Sequence, residues 1–119
     1  MRELTKAEDQ IMQVLWKLEK ALVKEVLEHL PKPKPAYNTV STIIRILEAK
    51  GFVGHKAYGK THEYFPLISK EQYKKFYMNE VLRGYFEGSF QNLVSFFVKE
   101  NKLSEKELTE LVKELKTKK

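Results

Sequence analysis

Pro31, Pro33 and Pro35 divide the first half of the chain more firmly than any other feature. Proline has no amide hydrogen and a fixed φ, so no helix passes through PKPKP. The stretch predicts a stiff, extended connector with its lysines projecting into solvent. Whatever precedes it must fold as short helices. Thr5 followed by Glu8 makes a capping box, and Ala7, Ile11, Val14, Leu15 and Leu18 recur at helical spacing, predicting a first helix over about residues 6–19. Val23, Val26, Leu27 and Leu30 give a second helix that stops at Pro31.

Beyond the connector, Val40, Ile43, Ile44 and Leu47 form an inner stripe and Gly51 supplies a left-handed stop, predicting a third helix over about residues 37–50. At about 100° per residue, Asn38, Ser41, Thr42 and Arg45 fall opposite that stripe, with Thr39 at its edge. Short hydrogen-bonding side chains backed by an arginine suit base edges and phosphates, because they do not hold the helix away from a groove. The run FVGHKAYGKTHEYFP then reads as two strands around a Tyr58-Gly59-Lys60 turn. Helix, helix, helix, hairpin is the winged-helix order, and Lys56 and Lys60 on the wing would lie beside the nucleic-acid backbone.

Charge supports this location. The net charge of +6 is shared equally, since residues 1–68 and 69–119 each hold 11 basic and 8 acidic residues. Within residues 32–62, however, Lys32, Lys34, Arg45, Lys50, Lys56 and Lys60 face Glu48 alone, marking a candidate polyanion surface.

From Ser69, a candidate N-cap, the chain becomes helical and aromatic. Tyr73, Phe76, Tyr77, Tyr85, Phe86, Phe90, Phe96 and Phe97 all fall in residues 69–119. A Gly88-Ser89 break precedes a helix from about Phe90 to Lys99, and a last helix begins at Ser104, boxed by Glu107, with Leu108, Leu111, Val112 and Leu115 at helical spacing. So much apolar surface on short helices predicts a homodimer through Phe76, Tyr77, Phe86, Phe90, Leu93, Phe97, Leu108, Leu111 and Leu115. Folding back onto the N-terminal domain is the alternative. The fold expected is therefore mainly α with a small β-hairpin wing: a winged helix-turn-helix domain over residues 1–68 and a helical dimerisation domain over residues 69–119.

Several segments of the chain resemble the penicillinase repressor family of bacterial winged-helix transcription regulators. These are LTKAEDQIMQVLW, LVKEVLEHL, and above all NTVSTIIRILEAKGFV before the wing, followed by FEGSFQNLVSFFVKENKLSEKELTEL in the C-terminal half. The resemblance implies a repressor that binds a palindromic operator as a dimer, controlling genes of β-lactam resistance or copper handling. In the β-lactam systems it also implies a protease that inactivates the repressor by cutting its C-terminal domain. Three departures matter. The cysteine-rich tail of the copper-responsive branch is absent, which rules out a thiolate metal switch. Where relatives are cut between Asn and Phe in Leu-Val-x-Asn-Phe-Val, this chain reads LVSFFV, so Phe97 matches but Phe96 replaces the asparagine. Ile46 stands where relatives commonly carry a basic residue, so that contact is either missing or exchanged for an apolar one with a thymine methyl.

Other chemistries find little support. The chain has no cysteine, which removes disulfides and thiol catalysis. It carries no glycine-rich phosphate loop, His-Glu-x-x-His or Gly-x-Ser-x-Gly motif, so neither catalysis nor a cofactor is expected. His55 and His62 could face each other across the hairpin, but two ligands make a poor metal site, and exposure or a phosphate contact is the better reading. His29 reads as surface and Trp16 as core. Charges interrupt every apolar run, and Glu3, Lys6, Glu8 and Asp9 occupy the place of a targeting core, so no membrane role is expected and a cytoplasmic location is. The rival use of a winged helix, protein contact, would favour Leu, Phe or Tyr anchors on the outer face of helix three.

Overall fold

The computed structural model describes residues 1–100 together with 104, 106, 107, 109, 110 and 113. It forms two compact units, Met1–Lys74 and Lys75–Lys119. The first contains α1 (Lys6–Leu18), β1 (Ala21–Leu22), α2 (Val23–Glu28), α3 (Tyr37–Ala49), β2 (Val53–Tyr58) and β3 (Thr61–Pro66). This is the expected winged helix with one addition. The two-residue strand β1 pairs antiparallel with β3, Ala21 opposite Tyr64 and Leu22 opposite Glu63, so β3 is the central strand in the order β1-β3-β2.

Each element begins and ends where local chemistry dictates. The Thr5 hydroxyl accepts the Glu8 amide at 3.1 Å while Glu8 accepts the Thr5 amide at 2.9 Å, a reciprocal box that satisfies two orphan donors of α1. Glu25 likewise accepts the Leu22 amide at 2.8 Å at the start of α2. Helix α3 is left by Gly51 at φ 84, a conformation that costs a side-chain-bearing residue energy. Gly59, at φ 63, takes the first position of the two-residue wing turn between the paired Tyr58 and Thr61.

The core of this unit lies between the three helices and the sheet. Ile11, Met12 and Leu15 of α1, Val26 of α2, Val40, Ile44 and Leu47 of α3, and Phe52 and Val53 are at most 2% exposed. Burying side chains of this size stabilises by about 1.5–3 kcal/mol each, so these contacts fix how α3 is held. Ala7, assigned to the inner stripe from its spacing, is exposed, and Glu8 beside it is buried instead. Trp16 is half-buried and donates from Nε1 to the Ile68 carbonyl at 2.9 Å.

Helix α4 (Lys70–Tyr85) starts with a second box, in which Ser69 and Gln72 exchange hydrogen bonds of 2.7 and 3.0 Å. Its first turn belongs to the first unit. Tyr73 packs edge-on against Phe52 at 5.9 Å, lies 6.0 Å from Trp16, and accepts the Leu4 amide at 2.8 Å through its hydroxyl. The sequence places the domain change at Ser69, whereas the compact unit extends to Lys74 because of these contacts.

In the second unit, α5 (Phe90–Lys99) follows Gly88 and is capped by Ser89, whose hydroxyl accepts the Asn92 amide at 3.2 Å. Phe86 and Phe96 meet edge to face at 5.7 Å. No residue of α5 is fully buried, and Phe76, Phe86, Leu93 and Phe97 are half-buried. The Ser104 hydroxyl accepts the Glu107 amide at 3.2 Å, as expected of a helix start, while Leu108, Leu111, Val112 and Leu115 lie outside the described residues. Among the described residues no helix is long and apolar enough to cross a membrane.

Candidate nucleic-acid interface

Two rows of side chains run along the outer side of α3, each advancing by four residues and so lying nearly in line on the helix surface. Asn38, Thr42 and Ile46 form one row and are all exposed. Tyr37, Ser41 and Arg45 form the other and border a groove of about 360 Å³. Thr39 is exposed on the far side of the first row. The α3 residues singled out from sequence therefore divide between an outward ridge and a groove wall.

The opposite walls of the groove come from two other elements. Leu22, Val23 and Lys24 enter from the start of α2, and Lys60, Thr61, His62 and Tyr64 from the wing. Lys24, Arg45 and Lys60 thus bring positive charge to one concavity from three parts of the chain. Tyr64, 4% exposed, anchors the arrangement. Burial and the nearby Glu48 carboxylate push its phenol above the usual range, opposed in part by the charge of, and a hydrogen bond with, the Arg45 guanidinium. Arg45 and Tyr64 thus border the same groove, one from α3 and the other from the central strand.

Lys56 lies elsewhere. The register sets it opposite Glu63, and its ammonium lies 5.3 Å from the centre of the Tyr58 ring. Its neighbour His55 bonds through Nδ1 to Glu48 of α3, so alternation along β2 turns Lys56 to the other face of the hairpin. Lys34 does not project freely from the connector either, because its ammonium donates to the Glu28 carbonyl at 2.7 Å, near the end of α2. The Lys32-Pro33 peptide of this connector is cis.

The wing histidines do meet. The His55 and His62 rings stack with centroids 4.3 Å apart and planes 14° from parallel, with Tyr64 tilted against His55 at 5.6 Å. Among the described residues no three His, Cys, Asp or Glu side chains gather as a metal-binding group.

Sequence reasoning passed over Lys24 and Tyr37. Lys24 looks like an ordinary surface residue of a short helix until β1 fixes the start of α2 beside the wing. Tyr37, 52% exposed, precedes the polar positions by one residue and falls in the same row as Ser41 and Arg45, a helical spacing that could have identified it.

The chain is similar to known proteins in both fold and sequence. The DNA-binding domain of the repressor BlaI, solved in solution, matches 61% of this chain and 94% of its own with a TM-score of 0.52 and 28% identity. Over 110 residues the chain is 28% identical to the methicillin resistance regulatory protein MecI of Staphylococcus aureus (strain N315), covering 92% of this chain and 89% of that one. It is 27% identical to the penicillinase repressor of Bacillus licheniformis, covering 92% and 86%. The model of the penicillinase repressor family matches residues 4–117. Spanning both units, that match means the chain belongs to the penicillinase repressor family.

Proposed function

We propose that this protein is a transcriptional repressor that binds a palindromic DNA operator as a cytoplasmic homodimer, controlling antibiotic-resistance or related genes. One observation carries the reading: a ridge of exposed Asn38 and Thr42 runs beside a groove to which Lys24, Arg45 and Lys60 all contribute. A B-DNA major groove is about 12 Å wide and admits a helix, with the flanking phosphate strand left for cations on either side. Asn38, Thr39 and Thr42 contact base edges, with Ser41 reaching bases from the groove wall. Arg45, Lys60 and Lys24 hold the strand that runs between α3 and the wing. The names of the relatives, a repressor of penicillinase and a regulator of methicillin resistance, support a role in repression.

The second unit supports dimerisation. Tyr77, Tyr85, Phe90 and Phe96 expose between 37% and 82% of their surface, and a second copy of the chain would cover such aromatic surface symmetrically. Release by a protease is the companion process implied by the family. In this chain the Phe96–Phe97 bond lies inside α5 and lacks the asparagine, so a protease would need another bond or an opened helix.

A salt titration tests the reading. A dimer making roughly six phosphate contacts should lose affinity with a slope of log K against log salt near about −5. A slope near zero would overturn it.

A further inference from the structure

The ridge Asn38, Thr42, Ile46 changes character along its length. Asn38 offers an amide. Thr42 donates its hydroxyl proton to the Asn38 carbonyl at 2.8 Å, so it presents its methyl and an oxygen lone pair to any partner. The Ile46 side chain carries no polar atom, yet the residue is 43% exposed. A solvated isoleucine gains from contact only with an apolar group. A protein partner would favour large aromatic or leucine anchors, whereas the rest of this ridge is Asn38 and Thr42.

Among the unmodified base edges of the major groove, the 5-methyl of thymine is the apolar group. We infer that Thr42 and Ile46 select thymine by contact with this methyl, making Ile46 a specificity-determining residue. The inference rests on the proposed DNA reading. Residues four apart on a helix are separated by about 6 Å along its axis, so the two side chains address different base pairs of one half-site.

The experiment uses the full chain. Duplexes retained from a random pool define a preferred site, and each thymine in it is then replaced in turn by deoxyuridine, which removes the methyl alone. At one or two thymines of each half-site, the replacement should weaken binding about four-fold, the equivalent of one buried methyl group. Ile46→Ala should abolish the penalty at one of these thymines and leave the rest of the profile. Thr42→Ser, which keeps the hydroxyl and drops the methyl, should abolish it at a neighbouring one. Penalties are compared between positions within one variant, so a general loss of affinity or fold lowers every position alike and does not imitate the result. Undiminished penalties in both variants, or no penalty at any thymine, would overturn the inference and leave the DNA reading standing. Retention of every sequence alike would overturn both.

Discussion

Glu8 and Lys50 form an ion pair, Oε2 to Nζ at 2.8 Å, that joins the first turn of α1 to the residue capping the C-terminus of α3. The other oxygen of the same carboxylate accepts the Thr5 amide. One side chain therefore both starts α1 and braces α3. Lys50 belongs to the basic segment found in sequence, but this pairing removes it from the charge available to DNA.

Burial alone would raise the Glu8 carboxyl, but the hydrogen bond and charge of Lys50 and the bonds from Thr5 outweigh it and hold the group below the ordinary carboxylate range. A depressed folded value stabilises the fold above the unfolded value, and that contribution is lost as pH falls through the folded one. Glu8→Gln keeps a side chain able to complete the capping box but removes the charge. Urea unfolding at neutral pH should register a loss of about 1.5–3 kcal/mol, the scale of a hydrogen bond to a charged group, and the acid-side fall in stability should flatten. An unchanged acid profile would assign the stability to other carboxylates.

The wing lysines should differ. Lys60→Ala and Lys24→Ala each remove a groove cation, so each should weaken binding to all sequences and reduce the magnitude of the salt slope by about one for every phosphate left without its cation. Lys56→Ala, on the opposite face against Glu63, should leave the slope unchanged. Salt titrations of the three variants separate these outcomes, and an effect at Lys56 equal to that at Lys60 would place the DNA on both faces of the hairpin.

Asn38→Ala should act on sequence preference. An amide on the exposed ridge can pair with adenine through two hydrogen bonds, each such pairing contributing about 1–3 kcal/mol of discrimination. Competition binding with single base-pair variants should show that discrimination disappear at particular positions and persist elsewhere. A uniform loss across all variants would make Asn38 a backbone contact.

Phe90→Asp should convert the proposed dimer to monomer and lower operator affinity with it. Phe90 is 37% exposed, so the charge disturbs the proposed contact between copies more than the unit's own packing. Sedimentation at micromolar concentration reads the change; a variant that still sediments as a dimer would move the interface away from the N-terminus of α5.

What could be read from sequence was local. The Thr5–Glu8 box, the stop at Gly51, the turn at Gly59 and the Ser69 cap each depend on residues within one turn of one another, and each is present. The outward position of Asn38, Thr42 and Arg45 follows from helical phase against Val40, Ile44 and Leu47, which are fully buried. The features that escaped depend on distant partners. Strand β1 is two residues long, too short for any period, and exists through pairing with Tyr64 and Glu63. Glu8 has the composition of a surface residue and is buried because Lys50 meets it from the end of α3. The face occupied by Lys56 depends on strand register, where a shift of one residue exchanges the two sides. Lys34 donates to the Glu28 carbonyl, six residues back, a partner that proline content alone does not specify.

If α3 reads DNA from a symmetric dimer, the duplexes that the purified full chain retains from a random pool will carry two inverted copies of one half-site at a fixed spacing, with the preference inside each half-site altered by Asn38→Ala. Retained duplexes that share no sequence, or a single unrepeated site bound by one copy, would contradict it.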